Sequence, residues 1–152
     1  MKYLGGISTR KHNFKAWLIN EKTICEVDKI YFGLNKNVEA IDCFYSCKTR
    51  EFHKGEFILL EYTGLRDKNG VEIYEGDILQ IDNGGTCKLR TVFMVKGGFA
   101  VESLDMDIGD YEKKTKYVPI ESLSDEQNAG YIEGCAEVIS NIYENPEFLG
   151  SD

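Results

Sequence analysis

The sequence is poor in several features that mark large classes of protein. Among its 152 residues there are two prolines, two histidines and one tryptophan, and no low-complexity tract. This composition argues against a disordered or collagen-like chain. No stretch approaches the roughly 18 to 20 apolar residues of a membrane-spanning helix, and no apolar run follows the basic start as in an export signal. We therefore expect a soluble globular protein that has no membrane partner.

Cysteine is present in an odd number, five residues. In a chain without an export signal we expect reduced thiols and a cytoplasmic location. Three residues separate Cys43 from Cys47, and His53 follows further on, a spacing only loosely like that of a zinc site. In a strand, positions 43 and 47 share one face, so both cysteines are more simply explained as small core residues. We expect no bound metal and no cofactor.

The formal net charge of −8 is unevenly distributed along the chain. Residues 1–55 carry ten Lys and Arg against six Asp and Glu, whereas residues 56–152 carry eight against twenty. The acidic balance argues against nucleic acid as a partner, because affinity for phosphates depends on clustered cations. The opposite signs of the two portions either describe a solvated surface or attract each other, within or between chains. On the second interpretation we expect self-association.

Apolar side chains alternate with a period of two along much of the chain, which indicates β-strands. The strand-like segments are residues 14–19, 23–32, 38–45, 56–62, 89–95, 98–104, 110–118 and 136–142. Only residues 122–129 suggest a short helical turn, capped by Ser124 and ended by Gly130. Parallel pairing would require crossover helices, and no amphipathic segment is long enough to supply them. The pattern therefore predicts a mainly β protein.

Short strands at even spacing, broken by Gly and Asn, favour a small antiparallel β-barrel or roll. We expect an SH3-like roll with an additional β-rich N-terminal part and little helix. Residues 1–152 are interpreted as one domain. If the domain is subdivided, residues 1–55 form the β-rich N-terminal part and residues 56–152 form the roll.

Residues 61–79, EYTGLRDKNGVEIYEGDIL, are the most distinctive segment. Residues 67–70 predict a turn with Asp at its first position, and residues 75–77 predict a second tight turn around Gly76. The glycines should occupy turns, and three isoleucines should be buried: Ile73, Ile78 and Ile81. The alternative is a carboxylate cluster for metal binding or acid–base chemistry, formed by Asp67, Glu72, Glu75 and Asp77. We favour turn construction as the explanation.

This segment resembles the signature of the YopX family of bacteriophage and prophage proteins. The opening Phe14-Lys15-Ala16-Trp17 is similar to the family's aromatic-Ala-Trp motif, and residues 138–147 with Leu149 are similar to its closing motif. Two positions depart from the pattern, Glu61 in place of Gln and Ser140 in place of Gly. The signature residues, interpreted as structural, are Trp17, Tyr62, Thr63, Gly64, Leu65, Asp67, Gly70, Ile73, Tyr74, Glu75, Gly76, Asp77, Ile78, Asn141, Ile142 and Tyr143.

The resemblance implies a prophage gene, a cytoplasmic protein of the bacterial host cell and a β-rich fold with an SH3-like roll. It implies no known activity, and hence no catalytic, cofactor-binding or metal-binding residues. The sequence itself contains no phosphate loop, no dinucleotide fingerprint and no nucleophile elbow. Residues 105–110 begin like a calcium loop but lack its later ligand and glycine. We therefore expect a protein that is not an enzyme.

Two functional hypotheses remain. The first is a non-enzymatic phage accessory protein that acts through self-assembly or contacts with a host or phage protein. In one version it is an acidic decoy for a host protein that binds nucleic acid. The alternative is a nucleic-acid-binding module of phage DNA metabolism, which rests on fold analogy alone and is opposed by the charge.

Overall fold

The computed structural model describes residues 13–82, 87–95, 98–103, 118–119 and 136–149. These ranges are mainly β, which confirms the predicted class. The strands are β1 (Phe14–Leu18), β2 (Thr23–Phe32), β3 (Val38–Tyr45), β4 (Lys48–His53), β5 (Phe57–Arg66), β6 (Glu72–Tyr74), β7 (Asp77–Asp82), β8 (Cys87–Val95), β9 (Gly98–Ser103), β10 (Val118–Pro119) and β11 (Ala136–Asn141). A 3-10 helix, Pro146–Leu149, follows β11.

The strands form two antiparallel sheets. One has the order β4-β3-β2-β1-β5-β6 and the other the order β10-β9-β8-β7-β11. Within the described ranges neither sheet closes on itself, so the strands form two open sheets instead of the single closed barrel that was one expectation. Most of the expected strand 110–118, the expected helical turn at Ser124 and the loop 105–110 lie outside the described residues. In the described part of the chain, no helix has the length and apolar composition to cross a membrane.

The first sheet is rolled, and a short turn enforces the curvature. β4 and β5 lie four strand spacings apart in the sheet order, which would be about 19 Å in a flat sheet. Only residues 54–56 connect His53 to Phe57, and that stretch of chain spans at most about 14 Å. The sheet must therefore curl until the end of β4 lies within about 14 Å of the start of β5. The apolar core inside the roll consists of Ala16, Leu18, Cys25, Ile41, Cys43 and Phe52.

The second sheet has a separate core. It is built from Ile73, Leu79, Ile81, Val92, Phe99, Val101 and Ala136, with Leu65 and Val138 packed against it. The first sheet extends past residue 55, because β5 pairs with β1 along residues 57–61. The change from one sheet to the other falls between Tyr74 and Asp77, where β6 ends and β7 begins.

Three signature glycines occupy left-handed backbone conformations. The φ angles are 86° at Gly64, 79° at Gly70 and 85° at Gly76, a region that glycine enters without steric cost. The predicted placement in turns is confirmed for Gly70 and Gly76 and is wrong for Gly64, which lies within β5 where the pairing with β6 shifts its register. Burial of the three isoleucines is also confirmed, with exposures of 0% for Ile73 and Ile78 and 6% for Ile81.

We predict that Gly76→Ala destabilises the protein more than Gly64→Ala. Both positions have nearly equal positive φ, so both variants incur the same backbone strain of about 1–2 kcal/mol. A Cβ at position 76 would also lie 2.8 Å from Cε2 of Tyr143, whereas position 64 has nothing within 4 Å. The overlap should add about 1–3 kcal/mol. Urea unfolding of the two variants measures the difference, and equal losses would show that Tyr143 makes way without cost.

Candidate functional site

The turn at residues 67–71 is organised around a buried carboxylate. Asp67 has no exposed surface, and its Oδ1 accepts hydrogen bonds from the amides of Asn69 at 2.8 Å and Val71 at 2.9 Å. Its Oδ2 accepts from the amide of Val138, at 2.9 Å and far along the chain. A buried carboxylate is tolerated only when hydrogen bonds satisfy it. Asp67 is therefore committed to shaping the turn and attaching it to β11.

The same turn covers the outer edge of β11. Val138 and Ala136 direct backbone groups away from β7, and the turn supplies partners for both. The amide of Lys68 donates to the carbonyl of Ala136 at 3.0 Å, next to the bond from Val138 to Asp67. The Lys68 ammonium also lies 2.8 Å from the Glu137 carboxylate. The outward backbone groups at Ala136 and Val138 are satisfied in this way, so this part of the edge is not open to pairing with another chain.

A second turn, residues 74–77, joins the two sheets. Oδ2 of Asp77 accepts a hydrogen bond from the Tyr74 amide at 2.8 Å. The amide of Gly76 donates to the carbonyl of Val92 at 2.7 Å, and the carbonyl of Gly76 accepts from the amide of Ile142 at 2.9 Å. These bonds hold β6, β8 and the segment after β11 at one point. We call this point the junction.

Aromatic side chains from distant parts of the sequence complete the junction. Trp17 stacks on Tyr143 with ring centroids 5.9 Å apart, and Tyr62 lies against Tyr74 at 5.5 Å. Oδ1 of Asn141 accepts hydrogen bonds from the amides of the next turn, at 3.0 Å from Tyr143 and 2.9 Å from Glu144. The opening, central and closing motifs of the sequence thus meet in one place.

Two further signature residues stabilise the hairpin that leads into the junction. The hydroxyl of Thr63 donates to the carbonyl of Ile73 at 2.8 Å, and it accepts from the amide of Leu65 at 3.2 Å. The main-chain amide of Glu75 donates to the carbonyl of Glu61 at 3.0 Å, which continues the pairing of β5 with β6. The Thr63 hydroxyl, like the carboxylates of Asp67 and Asp77, is thus hydrogen-bonded to main-chain groups.

The carboxylates of residues 67–82 converge only in part. Glu72 and Asp77 line a cleft of about 290 Å³, together with Lys15, Tyr74 and Glu144. Asp67 is enclosed by its own turn, and neither Glu75 nor Asp82 lines this cleft. Within the described ranges, no group of three His, Cys, Asp or Glu side chains is arranged to hold a metal ion.

A second cleft, of about 560 Å³, adjoins the first and shares Glu72 and Tyr74 with it. Glu26 and Asp28 of β2 add two carboxylates to its lining, and Lys29 adds one ammonium. The Tyr74 hydroxyl donates to Oε2 of Glu72 at 2.9 Å. Both clefts are acidic on balance, so they suit a cationic or neutral polar partner better than a phosphate.

Burial changes the titration of several groups at the junction. It raises the pKa of Asp77 to about 7, and this shift is opposed by the hydrogen bond from the Tyr74 amide and by nearby Lys15. Burial also raises the pKa of Glu75, and burial together with the Glu75 charge raises the pKa of Tyr143. A proton can therefore reside on Asp77 near neutral pH.

The candidate zinc residues are not brought together. Cys43 is buried inside the roll, and burial raises the pKa of its thiol, which is hydrogen-bonded to Cys25. Cys47 is exposed in the turn between β3 and β4, at φ 64°, so the prediction that both cysteines share the core face of a strand is wrong for Cys47. The exposed His53 places Nε2 3.0 Å from Oε1 of Glu51.

Lys15 and Glu144 line the first cleft and were not singled out from the sequence. The Lys15 ammonium lies 4.4 Å from the centroid of the Tyr74 ring, a cation–π contact. A signal for Lys15 existed, because alternation places it on the same face of β1 as Trp17. Glu144 carried no such signal, since only the turn after Asn141 brings it to the cleft.

Fold and junction together define a class of all-β proteins in which two antiparallel sheets are joined by a glycine turn. The YopX protein family matches residues 13–150, so the chain belongs to the YopX family. Protein EF1440 from Enterococcus faecalis has a similar structure, with 25% identity, a TM-score of 0.59 and coverage of 91% of this chain and 98% of EF1440. Protein yopX from Bacillus subtilis is similar with 18% identity, a TM-score of 0.56 and coverage of 90% and 96%. No curated protein matches the sequence.

We predict that Asp67→Asn destabilises the protein by about 2–4 kcal/mol. The amide group can replace only one of the two acceptor oxygens, so at least one of the three backbone donors loses its buried partner. Urea unfolding measures the loss, and hydrogen exchange at the Val138 amide shows whether the edge of β11 opens. Asp28→Asn, an exposed aspartate of β2, is the control. An unchanged midpoint for Asp67→Asn would show that the turn does not depend on this carboxylate.

A second prediction concerns pH. The pKa of Asp77 rises from its ordinary 3.8 to about 7 on folding, so the folded protein holds a proton that the unfolded chain releases. This contribution to stability is complete below pH 3.8 and is lost as the pH rises through about 7. Asp77→Asn cannot ionise, and we expect it to match the wild type at pH 4 and to be more stable at pH 8, by on the order of 4 kcal/mol at most.

Urea unfolding at pH 4, 6 and 8 tests this expectation. Asp28→Asn, an exposed position on β2, is the matched control and should follow the wild type at every pH. An Asp77→Asn variant that is less stable than the wild type at pH 8 would mean that the ionised carboxylate is favourable in the fold.

Proposed function

We propose that this YopX-family protein is a non-enzymatic accessory protein of a phage or prophage, acting in the bacterial cytoplasm through protein–protein contacts. The observation that carries the proposal is an apolar hairpin tip. Phe32, at the end of β2, is 65% exposed, and Leu34, in the turn that follows, is fully exposed. Exposed apolar side chains grouped in one place mark interaction surfaces.

The tip is a formed turn. The amide of Gly33 donates to the carbonyl of Asn37 at 2.9 Å, and the amide of Lys36 donates to the carbonyl of Gly33, also at 2.9 Å. Because these bonds hold the turn, little conformational entropy is lost when Phe32 and Leu34 meet a partner. The tip also carries the cation of Lys36, which matches the acidic clefts of a second copy.

Self-assembly is the form of contact that these surfaces favour. The larger cleft combines the carboxylates of Glu26, Asp28 and Glu72 with apolar side chains such as Val27 and Ile30. An apolar and basic tip is complementary to such a cleft, and the contact joins unlike surfaces of two copies. A basic host protein could occupy the same cleft, which is the decoy version of this function.

The chemical groups of the junction support a non-enzymatic role. Asp67 and Asp77 both accept hydrogen bonds from backbone amides, and the Thr63 hydroxyl donates to a backbone carbonyl. Groups held in this way maintain the fold. The acidic clefts also oppose the alternative of nucleic-acid binding, because duplex phosphates require clustered cations.

Sedimentation velocity, combined with a duplex DNA titration at low and moderate salt, tests the proposal. We expect the wild type to self-associate and Leu34→Ser to lower the association at least several-fold, while Met94→Ser, an exposed apolar position on β8, leaves it unchanged. Duplex binding should be weak at both salt concentrations. A strict monomer that binds the duplex below about micromolar concentration, with affinity falling steeply in salt, would overturn the proposal.

A further inference from the structure

The hydrogen bonds of β4 show which of its residues direct their backbone groups away from β3. Ser46 and Cys47 both have positive φ, 53° and 64°, as in a two-residue type I′ hairpin turn. The amide of Lys54 donates to the main-chain carbonyl of Glu39 across the β3–β4 pair at 2.8 Å. Hydrogen-bonded pairs alternate in an antiparallel ladder. Even-numbered residues of β4 therefore face β3, and the backbone groups of Thr49, Glu51 and His53 point outward.

Of these three residues, His53 has both of its outward groups satisfied within the described ranges. The His53 amide donates to Oε2 of Glu56 at 2.7 Å, and its carbonyl accepts from the Glu56 amide at 2.9 Å. β4 ends the order of the first sheet and pairs with β3 alone, so no strand of the described ranges pairs with the outward groups of Thr49 and Glu51. Both side chains are exposed. Four main-chain groups are thus presented in a row.

Two other described edges, those of β11 and β6, have backbone groups covered by side chains or turns. Asp67 and Lys68 cover β11, and the Asp77 carboxylate accepts from the Tyr74 amide of β6. Native proteins commonly block sheet edges in this manner. Against that background, the central part of β4 is an open edge.

The opposite side of the opening is formed by β5. The amide of Ile19 donates to the carbonyl of Glu56, and the amide of Tyr62 donates to the carbonyl of Asn13. The backbone groups of the even-numbered residues of β5 therefore face β1. The backbone groups of Phe57 and Leu59 then point away from β1, and β5 is not paired with β4. Their side chains are half-buried against the core of the roll. We call the opening between β4 and residues 57–59 the seam.

We infer that the seam binds an extended segment of another protein by β-strand addition to β4. This inference rests on the proposed function and names a surface separate from the hairpin tip. Hydrogen bonds to Thr49 and Glu51 provide the attachment. Side chains on one face of the segment contact Phe57 and Leu59, which calls for apolar residues. Those on the other face lie beside the Glu51 carboxylate, which calls for Lys or Arg.

A second copy of the chain does not fit this edge through its own β4. The two-fold registers that use the outward groups of Thr49 or Glu51 place Arg50 opposite Arg50, Glu51 opposite Glu51, or Lys48 opposite Arg50. Like charges directly opposite one another destabilise an antiparallel pair. Self-pairing through β4 is therefore unfavourable, and the occupant that this edge suits is a heterologous strand with alternating apolar and basic residues.

The test uses a blocked seven-residue peptide of alternating Val and Lys, titrated into the full-length ¹⁵N-labelled protein. We expect saturable shifts and slower exchange at the amides of Thr49 and Glu51. A peptide methylated at its lysine amides keeps its side chains but loses the donors that face β4, and it should not bind. Thr49→Pro removes an outward amide without breaking a bond to β3, so it should abolish binding, while Thr49→Val should preserve it.

Charge exchange provides the specificity test. Glu51→Lys should weaken binding of the Val–Lys peptide about five-fold and strengthen that of a Val–Glu peptide by a similar factor. Shifts that persist with the methylated peptide or with Thr49→Pro would overturn the inference, as would no shift at Thr49 and Glu51. A wild-type dimer that Thr49→Pro dissociates would identify a second copy as the occupant and also overturn it. Absence of peptide binding refutes the seam alone, whereas the duplex titration decides the proposed function.

Discussion

The carboxylate of Asp67 is the interaction on which much of this structure depends. It is fully buried and accepts hydrogen bonds from three backbone amides, two in its own turn and one in β11. A buried charge without such partners would cost several kcal/mol. The need to satisfy it fixes the turn and attaches residues 67–71 to the C-terminal strand. The edge of the second sheet is closed there as a consequence.

The turn at Gly76 is the second constraint. A positive φ and a bond from each of its backbone groups allow the chain to leave one sheet and enter the other at that residue. The ring of Tyr143 occupies the space where a side chain would stand, and Tyr143 in turn stacks on Trp17. The three motifs shared with the YopX family are thus explained as parts of one structural junction. The surfaces that we propose for recognition are the hairpin tip, the acidic clefts and the seam.

The sequence predicted local features well where the physical cause is local. The bounds of β2 and β3 agree with the predicted segments 23–32 and 38–45, because alternation of apolar residues reflects burial of one face. Turn glycines were found for the same reason, since Asp and Gly spacing encodes turn geometry. Cys47 was misplaced, because nothing in its immediate sequence distinguishes a strand from a tight hairpin turn that tolerates positive φ at Ser46 and Cys47.

By itself the sequence determined the β class, the turns around Asp67 and Gly76, and the burial of Ile73, Ile78 and Ile81. Turn geometry and the burial of one strand face depend on residues close together in the chain, so those features can be predicted from the sequence. Tertiary structure alone decided that the first sheet rolls, that Glu72 and Asp77 meet Lys15 and Glu144 in a cleft, and that β4 keeps an open edge. Each of these depends on strand order, and strand order arises from pairings between segments that lie far apart in the chain.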